Sequence, residues 1–174
     1  MDENYISLFD TEGEMLNIKQ IIDLLKHLSK QEPMVYRGKG DFAKMIINLD
    51  KGIKNDILKK HNKLNLPYDY VELLKFSNGI SFYEYGDAVL NSLEDAVKYS
   101  QDEWLSKGYI NIASCGGDEI YLKCDNSQRN IYVSDEGFGE LRPLNMSFIA
   151  FIEASLISGF SYFWHWGTKE LDLY

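Results

Sequence analysis

Three short segments between residues 109 and 135 alternate apolar and polar side chains, and this pattern constrains the fold more than any other feature of the 174-residue chain. They read YINIAS, EIYLKC and NIYVSD, and the stretches CGGD and DNSQ between them have the composition of turns. A period of two is typical of strands with one buried face. Tyr121 and Tyr132 occupy the alternate positions. The pattern predicts an antiparallel β-meander whose buried face carries Ile110, Ile112, Ile120, Leu122, Ile131 and Val133.

Apolar residues at helical spacing predict helices that pack against this sheet. Four segments have that spacing: residues 16–30, 42–63, 92–105 and 146–156. The second segment aligns Ile46, Leu49, Ile53 and Ile57. YRGKGD (36–41) is predicted to be a loop, and residues 80–86 and 88–90 a pair of strands. The expected fold class is α+β, an antiparallel β-meander sheet with helices packed against it.

The segment LPYDYVELLKFSNG, residues 66–79, is typical of a short helix with a start signal and a stop signal. Pro67 suits the first turn of a helix, where a missing N–H costs nothing. Asn78 and Gly79 supply backbone that ends a helix or turns the chain. No nucleophile, base or ligand set occurs here. The side chains predicted to face the core are Tyr70, Val71 and Leu74, with Leu73 as a further candidate.

The net charge of −9 is confined to the second part of the chain. Residues 1–75 hold 12 basic and 12 acidic residues, whereas residues 76–174 hold 6 basic and 15 acidic residues. Nucleic-acid binding needs Lys and Arg against phosphate, so this distribution argues against it. An acidic surface suits a basic protein partner, although acidity also serves solubility.

Few residues suit metal or cofactor chemistry. Cys115 and Cys124 are separated by eight residues, which is not a metal-site spacing. His27, His61 and His165 are scattered along the chain and form no second ligand pair. We therefore expect no metal and no cofactor.

The stretch from Met146 to Trp166 has about the length of a membrane span. Glu153 near its middle, together with several Ser and Gly residues, argues against insertion and for a buried helix. The N-terminus MDENYISLFDTEGEM is acidic where a secretory signal needs basic residues. With only two cysteines, the chain is expected to be cytoplasmic and not to bind a membrane.

The order of these elements resembles the SUKH superfamily, which includes the yeast cell-wall glucan-synthesis regulator and many bacterial immunity proteins. Three stretches carry the resemblance: LPYDYVELLKFSNG (66–79), YINIASCGGDEIYLKCDNSQRNIYVSD (109–135) and MSFIAFIEASL (146–156). It implies one SUKH-like domain over residues 1–174, with an N-terminal helical extension at about 1–45. The family's core residues at these positions, implied to be structural, are Leu66, Pro67, Leu74, Asn78 and Gly79.

The resemblance also implies a function. Bacterial members of the superfamily typically bind a cognate secreted toxin, often a nuclease, and block it by occlusion. A nuclease is basic where it holds phosphate, so the acidic part of this chain would complement it. The expected partner is a basic secreted toxin domain. The sequence leaves the identity of the toxin and the oligomeric state open.

Acidic side chains with aromatic residues among them surround the meander turns and the preceding strand pair. This combination suits a protein interface, because aromatic side chains anchor a partner while charges steer it. The competing interpretation is a solvated sheet rim. The predicted partner-binding residues are Glu84, Asp87, Asp118, Glu119, Tyr121, Asp125, Tyr132, Asp135 and Glu136.

Two other functions compete with toxin binding. An enzyme would draw on Cys115, Asp118, Glu119 and His165, but none of these has a recognisable partner at a fixed spacing. We therefore expect no catalytic residues. A regulatory protein-interaction scaffold of the cell-wall-regulator type is the alternative that the resemblance leaves open.

Overall fold

A two-stranded hairpin and a seven-stranded antiparallel sheet make up the β-structure in the computed structural model of the protein. The structure describes residues 16–38, 41–83, 88–125, 127–134, 139–159 and 163, with backbone only at residues 35–38, 41–43 and 83. The hairpin consists of β1 (Met34–Gly38) and β2 (Asp41–Lys44). The sheet strands, in both chain order and spatial order, are β3 (Ile46–Leu49), β4 (Ile80–Tyr83), β5 (Ala88–Leu90), β6 (Tyr109–Cys115), β7 (Asp118–Lys123), β8 (Ile131–Ser134) and β9 (Arg142–Pro143).

Six α-helices accompany these strands in the described ranges, which confirms the predicted α+β class. They are α1 (Ile18–Gln31), α2 (Asn55–Lys60), α3 (Tyr68–Phe76), α4 (Leu93–Tyr99), α5 (Asp102–Ser106) and α6 (Phe148–Ile157). Side chains from α1, α3, α6 and the sheet belong to one hydrophobic cluster that extends from Ile18 to Leu156. These three helices therefore cover the core face of the sheet.

The predicted meander is confirmed by strands β6, β7 and β8. All six Ile, Leu and Val side chains assigned to its core face are 0% exposed. The register shifts between Asn111 and Ala113, so β6 carries a bulge opposite β7. Beyond the bulge, Ala113 pairs with Ile120 and joins the core face. A strict alternation along β6 would have placed Ala113 on the other face.

Helix α1 forms where its sequence predicts it. Ile18, Ile21 and Leu25 bury one face of the helix. Asn17 caps the first turn by accepting hydrogen bonds from the backbone N–H groups of Lys19 and Gln20, and the Gln20 side chain caps the Asn17 N–H in return.

The structure corrects the prediction of a helix over residues 42–63. Strand β3 occupies part of that range, and its whole length pairs with β4. Ile47 is its buried residue, although the helical pattern singled out Ile46. A strand of four residues with three apolar side chains fits either period, and the available strand partner decides between them.

The region at about 1–45, predicted to be a helical extension, also contains strands. After α1 the chain forms the hairpin β1–β2, so residues 36–38 and 41 of the predicted YRGKGD loop lie in strands. Residues 1–15 lie outside the described residues. Pairing between β1 and β2 explains the difference, because polar residues such as Asp41 and Lys44 can still form a backbone ladder.

Helix α3 confirms the predicted short helix in residues 66–79. Pro67 is its N-cap, and its buried residues are Tyr70, Leu73 and Leu74, while Val71 is only half-buried. Gly79 has a φ of 129°, and an added Cβ would lie 2.5 Å from Asp50 Oδ2. Glycine is therefore required at this position.

The segment Ser77–Gly79 joins three parts of the fold. Ser77 Oγ lies 2.6 Å from the carbonyl oxygen of Gly79 and 3.0 Å from that of Asp50. Asn78 Oδ1 accepts a hydrogen bond from the Leu93 N–H at 2.9 Å, where α4 begins. The segment therefore ties the end of α3 to the loop after β3 and to the start of α4, which explains its structural role.

A single helix predicted up to residue 105 is in fact two helices, α4 and α5. The break lies at Ser100, whose Oγ donates to the Ala96 carbonyl and accepts from the Asn111 N–H at 2.8 Å. Asn91 Nδ2 donates to the Asn111 carbonyl oxygen at 3.0 Å. These side chains supply hydrogen-bond partners for backbone N–H and carbonyl groups of β6 that extend beyond the end of β5. The helix ends at Ser100 because its side chain provides one of these partners.

Helix α6 lies within the stretch that has the length of a membrane span. Its N-cap is Ser147, whose Oγ accepts a hydrogen bond from the Ala150 N–H at 3.2 Å. Phe148, Phe151 and Ile152 are buried against the core. In the part of the chain that the structure describes, no helix is both long enough and apolar enough to cross a membrane.

Candidate partner-binding site

The face of the sheet opposite the core carries several polar and aromatic side chains that are partly exposed, although Asn111 and Tyr121 on that face are buried. Strand registers place five of them side by side from β3 to β7. Tyr132 lies on β8 two residues before Ser134, the partner of Glu119, and we call the surface of all six the open face. It is defined by Asn48, Ser81, Val89, Ser114, Glu119 and Tyr132. Helices α1, α3 and α6 pack on the other side of the sheet, and these six side chains keep part of their surface exposed among the described residues.

Three predicted site residues meet on the open side of β7 and β8. Tyr121 and Tyr132 are cross-strand partners, and the Tyr121 hydroxyl donates to Glu119 Oε2 at 2.7 Å. Burial and the neighbouring Glu119 raise the pKa of Tyr121 above its usual range. Glu119 and Tyr132 are partly exposed, whereas Tyr121 is fully buried. Tyr121 therefore supports the surface and holds Glu119 in position, which corrects its assignment as a contact residue.

Asp118 also departs from the predicted site. It pairs with Cys115 on the core face and is only 6% exposed. The sequence alternation predicts that Asp118 faces the core, because it lies at every second position with the buried Ile120 and Leu122. A carboxylate in this position cannot contact a partner at the open face, so Asp118 is removed from the predicted surface.

Asp125 lies at the opposite end of the sheet from the β6–β7 turn. Its carboxylate is 3.2 Å from Lys123 Nζ and accepts hydrogen bonds from the N–H and hydroxyl of Ser127. Burial opposes its ionisation, but the Ser127 hydrogen bonds and the Lys123 charge hold the pKa of Asp125 below its usual range. The structure therefore separates Asp125 from Glu119, whereas Lys123 connects Asp125 to the Tyr109 ring that packs on Tyr132.

The remaining predicted acids, Glu84, Asp87, Asp135 and Glu136, lie outside the described residues. The strand ends beside them are described and lie together. Val89 pairs with Ser114, and Ser134 pairs with Glu119, so the start of β5 and the end of β8 lie at the β6–β7 turn. The strand ends that flank residues 84–87, and the strand end that precedes residues 135–136, therefore lie at this one end of the sheet.

An aromatic row beside the open face was missed by the sequence reasoning. The Tyr109 ring packs edge-on against Tyr132 at 5.0 Å and against Trp104 of α5 at 6.1 Å between centroids. Lys123 Nζ lies 5.8 Å from the Tyr109 ring centroid. Tyr109 has the same parity as Asn111 in the β6 pattern, and this signal could have placed it on the outer face.

Cys115, one of the residues weighed for catalysis, is buried. Burial, with the nearby Asp118 carboxylate, raises the pKa of the Cys115 thiol to about 11, so the thiol stays protonated at neutral pH. His165 lies outside the described residues. Within the described ranges, no group of three or more His, Cys, Asp or Glu side chains could hold a metal ion.

The two thiols are expected to be unreactive in the native protein. Burial raises the pKa of Cys124 to about 12, with Asp125 contributing, so both thiols ionise well above the value of 9.0 for an unperturbed cysteine. At pH 8, a disulfide reagent such as DTNB should label neither cysteine in the folded protein and both in denaturant. Rapid labelling of the native protein would contradict this assignment.

The same shifts have a consequence for stability. Above pH 9 the unfolded chain loses thiol protons that the folded chain keeps, so the free energy of unfolding should fall as pH rises towards 11. A Cys115→Ala variant should show a shallower fall than the wild type in urea titrations at several pH values. Identical slopes for the two proteins would contradict the shift at Cys115.

The sheet with helices on one face and a polar open face belongs to a known class of protein. The chain is a member of the SMI1/KNR4 family (SUKH-1), whose model matches residues 54–154. The match begins just before α2 and ends within α6. It confirms the resemblance to the SUKH superfamily. The matched residues contain most of the open face but not α1, the hairpin β1–β2 or β3.

A relative extends the similarity over nearly the whole chain. The protein is 25% identical over 179 residues to the "Uncharacterized protein YobM" of Bacillus subtilis (strain 168). The similar region covers 90% of this chain and 96% of that protein. The two chains are therefore similar in extent as well as in sequence.

Proposed function

We propose that this protein is a bacterial immunity protein that binds a cognate secreted toxin and neutralises it by occlusion. The observation that carries the proposal is the open face, where Glu119, Ser114 and Tyr132 are accessible beside the strand ends that lead to the acidic segments. Membership of a family that includes immunity proteins supports a protein partner. The site of action is the cytoplasm, where an immunity protein meets a toxin that has entered the cell.

The chemistry of the open face suits a basic partner. Tyr132 offers an aromatic ring whose position is restrained by Tyr109, and such pre-organised aromatic residues anchor interfaces at low entropic cost. Glu119 is held by the Tyr121 hydroxyl. A toxin that cleaves nucleic acid must be basic at its phosphate-binding site. Glu119 and the acidic segments 84–87 and 135–136, which we call the acidic end of the sheet, would attract that site. The mechanism is blockage, with no reaction carried out by this chain.

The proposal can be tested from the gene next to the one that encodes this protein. We expect a neighbouring gene for a secreted protein with a basic C-terminal domain. Expression of that domain in a bacterial host should arrest growth, and co-expression of this protein should restore it. Purified samples should form a stable complex. A complex without protection of the host would favour the scaffold alternative, and neither complex nor protection would contradict the proposal.

Neutralising the acidic end should slow association with the toxin. The triple variant Glu119→Gln, Asp135→Asn, Glu136→Gln should lower the association rate constant about tenfold at low salt and flatten its salt dependence. The dissociation rate should change much less, because rim charges act mainly on encounter. Surface plasmon resonance at several ionic strengths measures both rate constants.

The matched control removes three charges elsewhere. Asp23→Asn, Glu32→Gln and Asp56→Asn change exposed acids on or next to α1 and α2, and this variant should keep an association rate close to that of the wild type. Equal slowing in both triple variants would mean that net charge, and not the acidic end of the sheet, controls association.

A further inference from the structure

A buried chain of hydrogen bonds leads from the loop between β5 and α4 to Glu119 on the open face. Its members are Asn91, Asn111, Tyr121 and Glu119. The first three side chains are buried, whereas Glu119 is partly exposed. The chain therefore connects the interior of the protein with the surface that is proposed to bind the toxin.

The first links fix the orientation of the Asn111 side chain. Asn91 Nδ2 donates to Asn111 Oδ1 at 3.1 Å and to the Asn111 carbonyl oxygen at 3.0 Å. The Asn111 N–H donates to Ser100 Oγ at 2.8 Å, which holds the backbone of this residue as well. Because Oδ1 already accepts from Asn91, the Nδ2 group remains as the donor on the other side of the Asn111 amide.

The Tyr121 hydroxyl lies between Asn111, its cross-strand partner, and Glu119. Burial and Glu119 raise the pKa of Tyr121, and the hydrogen bond that the Asn111 side chain donates to the hydroxyl opposes this rise. A hydroxyl that accepts a hydrogen bond still has one proton to donate. That proton is donated to Glu119 Oε2 at 2.7 Å. Every bond in the chain is thus donated in the direction of Glu119.

The charge at the end of this chain is not neutralised within the described part of the protein. Glu119 forms no ion pair with a described lysine or arginine, whereas Asp125 pairs with Lys123. The cross-strand partners of Glu119 are Ser114 and Ser134, which carry no charge. A carboxylate has about four acceptor sites, so sites remain for a cation from outside.

We propose that Asn91 and Asn111 are positioning residues for partner binding. Acting through Tyr121, they hold the Glu119 carboxylate ready to accept a lysine or arginine side chain of the partner protein. An exposed glutamate normally loses rotamer freedom when it forms such a contact, and here that loss occurs when the protein folds. Hydrogen bonds in a buried chain polarise one another, which strengthens the donor to the carboxylate. The proposal rests on the toxin-binding function and names the group of the toxin that contacts Glu119.

The first test needs no toxin. The full chain is labelled with ¹³C at glutamate, and NMR relaxation measures the order parameter of the Glu119 side chain. The wild type should show a rigid side chain, and Tyr121→Phe should lower the order parameter below about 0.6, the range of flexible groups. A Glu119 side chain that is flexible in the wild type, or equally rigid in both proteins, would overturn the positioning role.

Tyr70→Phe is the matched control, since it removes another buried tyrosine hydroxyl. The Tyr70 hydroxyl has no hydrogen-bond partner among the described residues. Its loss should therefore leave the thermal midpoint the same or higher and the order parameter of Glu119 unchanged. Equal loss of Glu119 order in Tyr70→Phe and Tyr121→Phe would indicate general loosening of the protein and would overturn the specific link through Tyr121.

Asn91→Ala tests the buried start of the chain. Without the donor from Asn91, the Asn111 amide is free to turn its Oδ1 towards Tyr121 and divert the hydroxyl proton from Glu119. The order parameter of Glu119 should fall, by less than in Tyr121→Phe. If Asn91→Ala does not fold, Asn111→Asp removes the N–H donor at nearly constant volume and should have the same effect. A rigid Glu119 in the folded variant would exclude both asparagines from the positioning role.

The toxin domain encoded by the neighbouring gene provides the second readout. Tyr121→Phe leaves the net charge unchanged, so the association rate constant and its salt dependence should match those of the wild type. The dissociation rate constant should rise about threefold, which corresponds to the ordering of one side chain. An unchanged dissociation rate with a mobile Glu119 would overturn the inference. If the wild type binds no toxin, the proposed function fails instead, and the NMR result still decides whether the chain positions Glu119.

Discussion

Gly52→Ala is expected to lower the free energy of unfolding by about 3 kcal/mol, at the upper end of overpacking effects. A Cβ at this position would lie 2.9 Å from the carbonyl carbon of Lys75, and closer still to its oxygen. Hydrogen bonds on either side, from the Ile53 N–H to Leu74 and from the Asn78 N–H to Lys51, hold the two segments together. Neither backbone can move away without losing them. Urea unfolding followed by circular dichroism measures the change.

Gly108→Ala is the control for this substitution. Gly108 has a φ of 83°, and nothing lies within 4 Å of a Cβ built there. Alanine at this position should therefore cost only the left-handed backbone conformation, roughly 1–2 kcal/mol. If Gly52→Ala were no more destabilising than Gly108→Ala, the close approach of Gly52 to Lys75 would not be a constraint of the fold.

Ser114→Arg is expected to weaken binding of the proposed toxin by roughly 100-fold, because it adds a long cation at the centre of a surface that faces a basic partner. Ser114 lies on the open face between Val89 and Glu119, its cross-strand partners. The new side chain can pair with Glu119 across the strands, so the fold should be retained. Isothermal titration calorimetry against the toxin, with thermal unfolding of the free protein, separates the two effects.

Gln31→Arg adds the same charge at an exposed position at the end of α1, on the other side of the molecule. It should leave toxin affinity unchanged. A folded Ser114→Arg protein that binds as tightly as the wild type would place the toxin elsewhere.

The meander and helix α3 were predicted correctly because their signals are local. Alternation in YINIAS, EIYLKC and NIYVSD depends only on neighbouring residues, and Pro67 and Gly79 act on the backbone at their own positions. The same local reasoning failed over residues 42–63, where a short apolar run fits a helix and a strand equally well. There the neighbouring strand β4 decided the structure. The single domain over residues 1–174 stays a prediction.

The candidate site was predicted less completely, since exposure depends on what packs above a side chain. Glu119 and Tyr132 are accessible as expected. Asp118 faces the core beside Cys115, and Tyr121 is buried although its strand position faces outward. The spacing of Asp118 two and four residues before the buried Ile120 and Leu122 would have identified the error at Asp118. No local pattern could have identified the second, because the burial of Tyr121 depends on neighbours brought to it from other parts of the chain.

By itself the sequence determined the strand and helix periods, the start and stop signals at Pro67 and Gly79, and the acidic character of the second part of the chain. These properties depend on intrinsic conformational preference, on side chains a few positions apart and on simple charge counts. Only the tertiary structure decided which sheet face stays open, how Asn78 joins α3 to α4, and how Ser100 and Asn91 satisfy the edge of β6. Each of these depends on contacts between residues far apart in the chain, and burial and hydrogen-bond satisfaction are settled only when those contacts form.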